Sequence, residues 1–327
     1  MWRCFKLTPL ILILGLYLGA PLQAEVLPVK GRVDVHGNYL IHWQNDRLWL
    51  RQKHRLNAPA QQALTFNQPI YQVVVQGAYL VVGFMNGSYQ RFRFPSMASA
   101  GALKLPSNGH LIPPFAVSPD GYYLTRTLFS QQNAQDVMDL NTWSWQPSRW
   151  IQQRRAHQQP LHLPGHYPDT QILFHPLGQF LAFATEDGVL KIYDTQQKKW
   201  VYQLPGSPPL SYADSGTYFA FLSPCGAEQC IRLWHLPTGR LKTWRHTQID
   251  ASESALVIDP AGHYLAYTTR AQGKLRELRV QRIADGKRVF STRVAEAVDS
   301  LTFFDASHVL ASSIRNSDYA ATRHEFL

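Results

Sequence analysis

The chain has 327 residues, 45% of them hydrophobic and 17% charged. That balance excludes a disordered or fibrous protein and is compatible with one large all-β domain or two smaller domains. The formal net charge of +10 favours anionic partners such as lipid headgroups, polysaccharides or acidic proteins.

Residues 1–24 read as an export signal. Arg3 and Lys6 form a basic start, Leu7 to Ala20 an apolar stretch, and Leu22-Gln23-Ala24 a small-residue cleavage site that predicts a mature start at Glu25. The apolar run is 14 residues long, short of the ~20 that span a bilayer. No Cys follows it to carry a lipid anchor. Removing Arg3 and Lys6 leaves 30 basic against 22 acidic residues, a net of +8. The expected location is periplasmic or secreted, where nucleic acid is the least fitting of the anionic partners.

From Glu25 to the end, residues 25–327 read as a single domain built from a repeat. A short turn recurs between two strand-like runs, as Ser118-Pro119-Asp120-Gly121, His175-Pro176-Leu177-Gly178, Ala213-Asp214-Ser215-Gly216 and Asp259-Pro260-Ala261-Gly262. Weaker copies surround Gly37, Gly77 and Ala306, making seven units spaced by 40, 44, 57, 38, 46 and 44 residues. Glycine suits a tight turn that needs positive φ. Each turn is followed by a run with strand alternation, such as QFLAFATE or HYLAYTTR, and then by two further strand-like segments. Four strands per ~40–45 residues is the spacing of a propeller blade. The fold expected is therefore an all-β propeller of about seven four-stranded blades, with six or eight as the neighbouring counts. The last unit supplies three strands, and the stub Glu25 to Pro28 is placed to complete it and remove an exposed sheet edge.

The unit PGHYPDTQILFHPLGQFLAFATEDGVLKIYD carries Gly165-His166 at its start, Asp187-Gly188 in a later turn and Tyr193-Asp194 at a strand end. It resembles a WD repeat, with Tyr-Asp where that family has Trp-Asp. Trp234-His235 and Met138-Asp139-Leu140 occupy the same place in neighbouring units. The chain as a whole looks like a WD-repeat-like propeller with degenerate repeats, of exported bacterial type. The resemblance implies a structural hydrogen-bond set of His166, Thr185, Asp187 and Tyr193. It does not imply a ligand, because propellers host many unrelated functions.

Cys4 leaves with the signal, so the mature chain holds only Cys225 and Cys230, flanking a hairpin-like Gly226-Ala227-Glu228-Gln229. In an oxidising compartment such a pair is expected to be a disulfide, and the spacing is neither a redox nor a zinc motif. Residues 149–168, RWIQQRRAHQQPLHLPGHYP, read as an insertion between blades three and four. Topology puts it on the same face as the hairpins joining second and third strands. Arg149, Arg154, Arg155, His157, His162, Arg270, Lys274 and Arg315 then form a candidate basic binding rim. A metal site from His157, His162 and His166 is not expected, because Pro160 and Pro164 break any regular face.

No catalytic residue, metal or cofactor is assigned. There is no Gly-x-Ser-x-Gly elbow, and Asp34, Asp120, Asp187, Asp214 and Asp259 sit at turns, where Asp serves the backbone. Trp143 and Trp145 read as one face of an outer strand. The expected function is a non-catalytic binding scaffold for a protein or an anionic envelope component. The alternative is a propeller enzyme, a lactonase-like hydrolase or a quinone- or haem-dependent oxidoreductase. An acidic central channel would favour the enzyme, and a basic aromatic rim the scaffold.

Overall fold

The structure is a computed structural model. It describes residues 25–104, 115–144 (except 122, 133 and 134), 151–153, 161–162, 171–184, 188–245 (except 198), 249, 255–270, 276–294, 298–315 and 318–325. Residues 1–24, expected to be the export signal, lie outside them.

After β1 (Glu25–Lys30), blade one comprises β2 (Arg32–His36), β3 (Tyr39–Gln44), β4 (Arg47–Gln52) and β5 (Gln62–Thr65). Blade two is β6 (Ile70–Gln76), β7 (Tyr79–Phe84), β8 (Ser88–Arg93) and β9 (Ala98–Lys104). Blade three is β10 (Phe115–Val117), β11 (Tyr123–Gln132), β12 (Gln135–Ser144), β13 (Ile151–Gln153) and β14 (Leu161–His162). Blade four is β15 (Gln171–Phe174), β16 (Phe180–Ala184), β17 (Val189–Asp194) and β18 (Lys199–Pro205). Blade five is β19 (Ser207–Tyr212), β20 (Tyr218–Cys225), β21 (Glu228–His235) and β22 (Arg240–Arg245). Blade six is β23 (Leu256–Ile258), β24 (Tyr264–Arg270), β25 (Arg276–Arg282) and β26 (Arg288–Val294). Blade seven is β27 (Val298–Phe303), β28 (His308–Arg315) and β29 (Asp318–Glu325), with β1 as its fourth strand. The propeller thus has six four-stranded antiparallel sheets and one of five strands, as its repeat predicts.

β1 closes the ring. It pairs antiparallel with β29, Glu25 opposite Arg323 and Lys30 opposite Ala320. Its Leu27 is buried with Val33, Leu40, Phe304 and Leu310. One end of the chain therefore ties the last blade to the first and covers the edge of β29.

The second strands carry most of the core. They are nearly continuous apolar runs buried on both faces, as in YLVVGF of β7 and FLAFA of β16. The expectation of half-buried strands fails here because each blade is sandwiched between two others. Outer strands read the other way: in β22, RLKTWR, only Trp244 is even partly covered. The first hairpins use the predicted glycines at positive φ, Gly121 at +69° and Gly262 at +79°. At Gly121 a Cβ would also lie 2.2 Å from the Tyr79 ring of the preceding blade, so the turn packs closely across the seam.

Adjacent inner strands are not paired with each other, so side chains bridge them. The Gln72 amide both donates to and accepts from the Phe115 backbone, and Gln171 does the same with Leu210. Arg91, buried against the Tyr79 ring, donates to the Gly121 carbonyl at 2.9 Å. His175 Nε2 meets the Gly216 carbonyl at 3.0 Å. Such ties satisfy buried backbone groups that no ladder reaches.

Blade three differs from its sequence reading. Two strands within the span 149–168 pair with β12, β13 against Thr142–Ser144 and β14 against Val137–Met138. The span therefore supplies a split outer strand to its own blade. Trp143 lies in the third strand, not the outer one, and Trp145 lies outside the described residues. The long β11–β12 hairpin consumes residues that the repeat spacing had assigned to an outer strand.

Candidate functional site

Because first and second strands run antiparallel, all first hairpins fall on one face of the ring and all second hairpins on the other. The inner strands enclose a central channel with a cavity of about 740 Å³, within the ~300–1,000 Å³ of small-molecule sites. Among the described residues, blades one, two, four, five, six and seven line it. Its wall is mixed: Val73, Leu173, Leu210 and Val257 are apolar, and Gln171, Ser211 and Thr302 are polar.

Its titratable groups gather toward the first-hairpin face, where Asp34 and His36 come from β2 and Asp214 follows β19. Burial pushes the Asp34 carboxyl above its usual range; the Val35 N–H, His36 and the Thr302 hydroxyl draw it back, and the charge of Asp214 adds to the rise. Asp214 is raised by desolvation first, eased by His36 and raised again by Asp259. At both residues a neighbouring carboxylate adds to the rise that burial causes. The Asp34 carboxylate also accepts the Val35 N–H at 2.8 Å, and Asp259 accepts the N–H groups of Ala261 and Tyr264. The turn role expected of these aspartates is thus present at Asp259, whereas Asp34 lies within strand β2 opposite Ile41, and the clustering in space is one that sequence spacing does not reveal.

The second-hairpin face carries the disulfide. Cys225 and Cys230 are joined, Cα atoms 5.8 Å apart, at the β20–β21 hairpin of blade five. Arg270 is exposed at the end of β24, and Arg315 ends β28, so both belong to hairpins of this face. His162 lies in β14. Arg149, Arg154, Arg155, His157 and Lys274 lie outside the described residues, as do His166, Thr185 and Asp187 of the structural set. Tyr193 is buried in β17 among Ile172, Phe174, Leu181 and Phe183, with its ring edge-on to Trp200 at 5.5 Å. The adjacent Asp194 accepts the N–H groups of Gln196 and Gln197 at 2.8 and 2.7 Å, which holds the β17–β18 turn.

A feature that sequence reading missed is the outer wall of blades five and six. β22 places Arg240, Lys242 and Arg245 at the surface, and the end of blade six adds Arg282, Lys287, Arg288 and Arg293. The two acids beside them are already engaged, Asp285 by Arg282 at 3.1 Å and Glu277 by Arg279 at 2.7 Å. Arg240, Arg245, Lys287 and Arg293 have no carboxylate partner among the described residues. The signal was present in the outer-strand segments RLKTWR and RVFSTRV, which contain cations and no acid.

No family model and no curated protein sequence matches this chain. Among solved structures it is similar to the β-propeller domain of Cps50 (Swd1) from Myceliophteria thermophila, with a TM-score of 0.64 and 13% sequence identity. The match covers 91% of this chain and 99% of that one. At that identity the likeness establishes the propeller fold, of the kind the WD-like repeats imply. Among the described residues, no helix is long and apolar enough to cross a membrane.

Proposed function

We propose that this chain is an exported, non-catalytic propeller scaffold of the cell envelope that binds a protein or another anionic envelope component through its basic surface. The observation that carries this reading is the cation surplus on the outer strands of blades five and six. A rigid ring with a one-signed wall attracts and orients an acidic partner with little rearrangement. The disulfide is compatible with folding in an oxidising compartment, and the predicted cleavage before Glu25 supports export. The rim residues Arg149, Arg154, Arg155, His157, His162, Arg270, Lys274 and Arg315 belong to the same proposal, as a second basic surface.

Two charge-reversal variants test it, one carrying Arg240→Glu, Arg245→Glu, Arg288→Glu and Arg293→Glu, the other Arg154→Glu and Arg155→Glu. The expected result is salt-sensitive capture of partners from envelope extracts by the wild type, lost in the first variant and weakened in the second. Identical partner sets from all three proteins would overturn the reading. N-terminal sequencing of fractionated protein checks export, and a chain retaining Met1 in the cytoplasm would overturn that part.

A second reading, a hydrolase acting in the channel, is favoured by one observation, the upward shift of both the Asp34 and Asp214 carboxyls beside His36. A screen of lactones and esters tests it. Turnover abolished by Asp214→Asn would establish it, and the absence of turnover would return the carboxylates to their turns.

A further inference from the structure

The face of blade one that turns toward blade seven is built from three cross-strand rows. Leu40 stands opposite Arg51; His42 is opposite Trp49, and Trp49 opposite Ala63; Gln44 is opposite Arg47, and Arg47 opposite Thr65. Leu40, with Val33 and Val35 of β2, joins the apolar cluster with Leu310 and Phe304 of blade seven. The other two rows border a cavity of about 630 Å³, whose described lining includes His42, Gln44, Asp46, Arg47, Trp49 and Arg51. Gln44 to Arg47 form the second hairpin of blade one, so this cavity sits toward the face opposite the channel carboxylates.

Two groups in it are held in place before any ligand arrives. Arg51 donates from Nε to His42 Nε2 at 3.2 Å and from one terminal nitrogen to the carbonyls of Leu56, at 3.1 Å, and Ala58. All three acceptors are neutral. A guanidinium has five N–H donors, so the two on the other terminal nitrogen have no partner among the described residues. His42, itself buried, stacks on Trp49 with ring centroids 4.8 Å apart and planes 12° from parallel. Among the described residues, the cross-strand neighbour of Trp49 on the other side is the exposed Ala63, so β5 leaves that flank of the indole open. Backbone carbonyls thus fix Arg51, Arg51 fixes His42, and His42 fixes Trp49.

Neither Arg47 nor Arg51 has a carboxylate partner among the described residues. With Asp46 the cavity carries a net charge of one positive unit, and Gln44, Asn45 and Asp46 surround the ring with hydroxyl-binding groups. An aromatic plate, a prepositioned guanidinium and short polar side chains match one ligand chemistry, a saturated ring bearing hydroxyls and a carboxylate. We propose that this cavity, on the face of blade one that turns toward blade seven, binds an acidic saccharide. The sugar ring stacks on Trp49, its carboxylate meets Arg51 and Arg47, and Asp46 and Gln44 take hydroxyls. The site is separate from the outer wall of blades five and six, and its failure would leave the scaffold reading standing.

Calorimetric titration of the folded wild type with a linear galacturonic acid trimer, at about 150 mM salt to screen non-specific attraction, is the test. Binding is expected for this trimer and not for maltotriose or acetate. Arg47→Ala and Trp49→Leu, whose side chains hold no other segment in place, are each expected to weaken it roughly tenfold or more. Their melting temperatures report that the fold is kept. The charge-reversed blade five and six variant is expected to bind the trimer as the wild type does. The proposal is overturned if the wild type fails to bind the trimer, or if maltotriose or acetate binds as well. It is equally overturned if the two variants bind like wild type, or if the outer-wall variant alone loses binding.

Discussion

Blade seven meets its two neighbours in different ways. Toward blade six the seam is dry: Leu278, Val280 and Phe290 pack against Val298, Leu301, Phe303 and Val309. Toward blade one the apolar contact is a small cluster around Leu40, and outward from it blade one presents polar and cationic side chains beside a cavity. Among the described residues, each seam also buries one histidine. His42 accepts from Arg51 and stacks on Trp49, whereas the Nε2 of His324 has no hydrogen-bond partner among the described residues and its ring lies tilted against Phe290 at 6.4 Å. The difference separates two uses of the same geometry. One seam joins blades by burying apolar surface, and the other accepts weaker packing in exchange for a place where a ligand can sit.

The strongest way to break this contrast is to remove packing from the dry seam. Leu278→Ala is expected to cost about 2–5 kcal/mol, since Leu278 is fully buried and its neighbours refill the cavity only in part. Denaturant unfolding measures it, and a cost under about 1 kcal/mol would show that the seam is not tightly packed.

Acid tests the second feature of the same seam. Burial pulls His324 down to about 4 from its ordinary 6.5. The unfolded chain therefore takes up this proton first, so the contribution is fully present above the unfolded value and is lost as pH falls from 6.5 toward 4. The loss across that window is expected to be roughly 2–4 kcal/mol, and His175, also lowered mainly by burial, acts in the same direction. His324→Phe is expected to flatten the acid limb of the stability profile without harming stability at neutral pH. An unchanged acid limb in that variant would rule out His324 as its source.

A within-blade tie provides the scale for the seams. Replacing Cys225 and Cys230 by Ser is expected to lower the melting temperature by an amount worth about 1–3 kcal/mol and to leave the propeller folded. Thiol labelling of denatured, unreduced protein should find no free thiol, and two per chain would contradict the disulfide. The smallest effect is expected at the polar seam. Trp49→Leu should change stability by about 1 kcal/mol or less, because the indole is partly exposed and Leu40 already seals the inner row. A larger loss in thermal unfolding would mean that this seam depends on its aromatic plate.

Much of the architecture was legible because it is encoded over short stretches. The turn glycines mark positions where only a residue without Cβ is unstrained, the cysteines bracket one hairpin, and the stub at Glu25 matches the strand that the last unit lacks. Blade three was misread at its outer strand because strand assignment there depends on the length of the β11–β12 hairpin, which local alternation does not specify. The cations of the basic wall stand in two outer-strand segments, Arg240–Arg245 and Arg288–Val294, which only the folded blades bring side by side, whereas the Arg-rich span 149–168 is contiguous in sequence.

What the sequence determined by itself was the all-β propeller class, the approximate blade count, the covalent tie at Cys225–Cys230 and the surplus of positive charge. Each follows from residues within a few positions of one another or from composition alone. Only the tertiary structure decided which faces meet. It brought Asp34 and Asp214 into one channel from residues 180 positions apart. It set Phe290 against His324, and it left the flank of Trp49 open beside the anchored Arg51. The physical reason is that burial, desolvation and the leftover donors of a side chain are properties of the space between blades, and that space exists only once β1 has closed the ring.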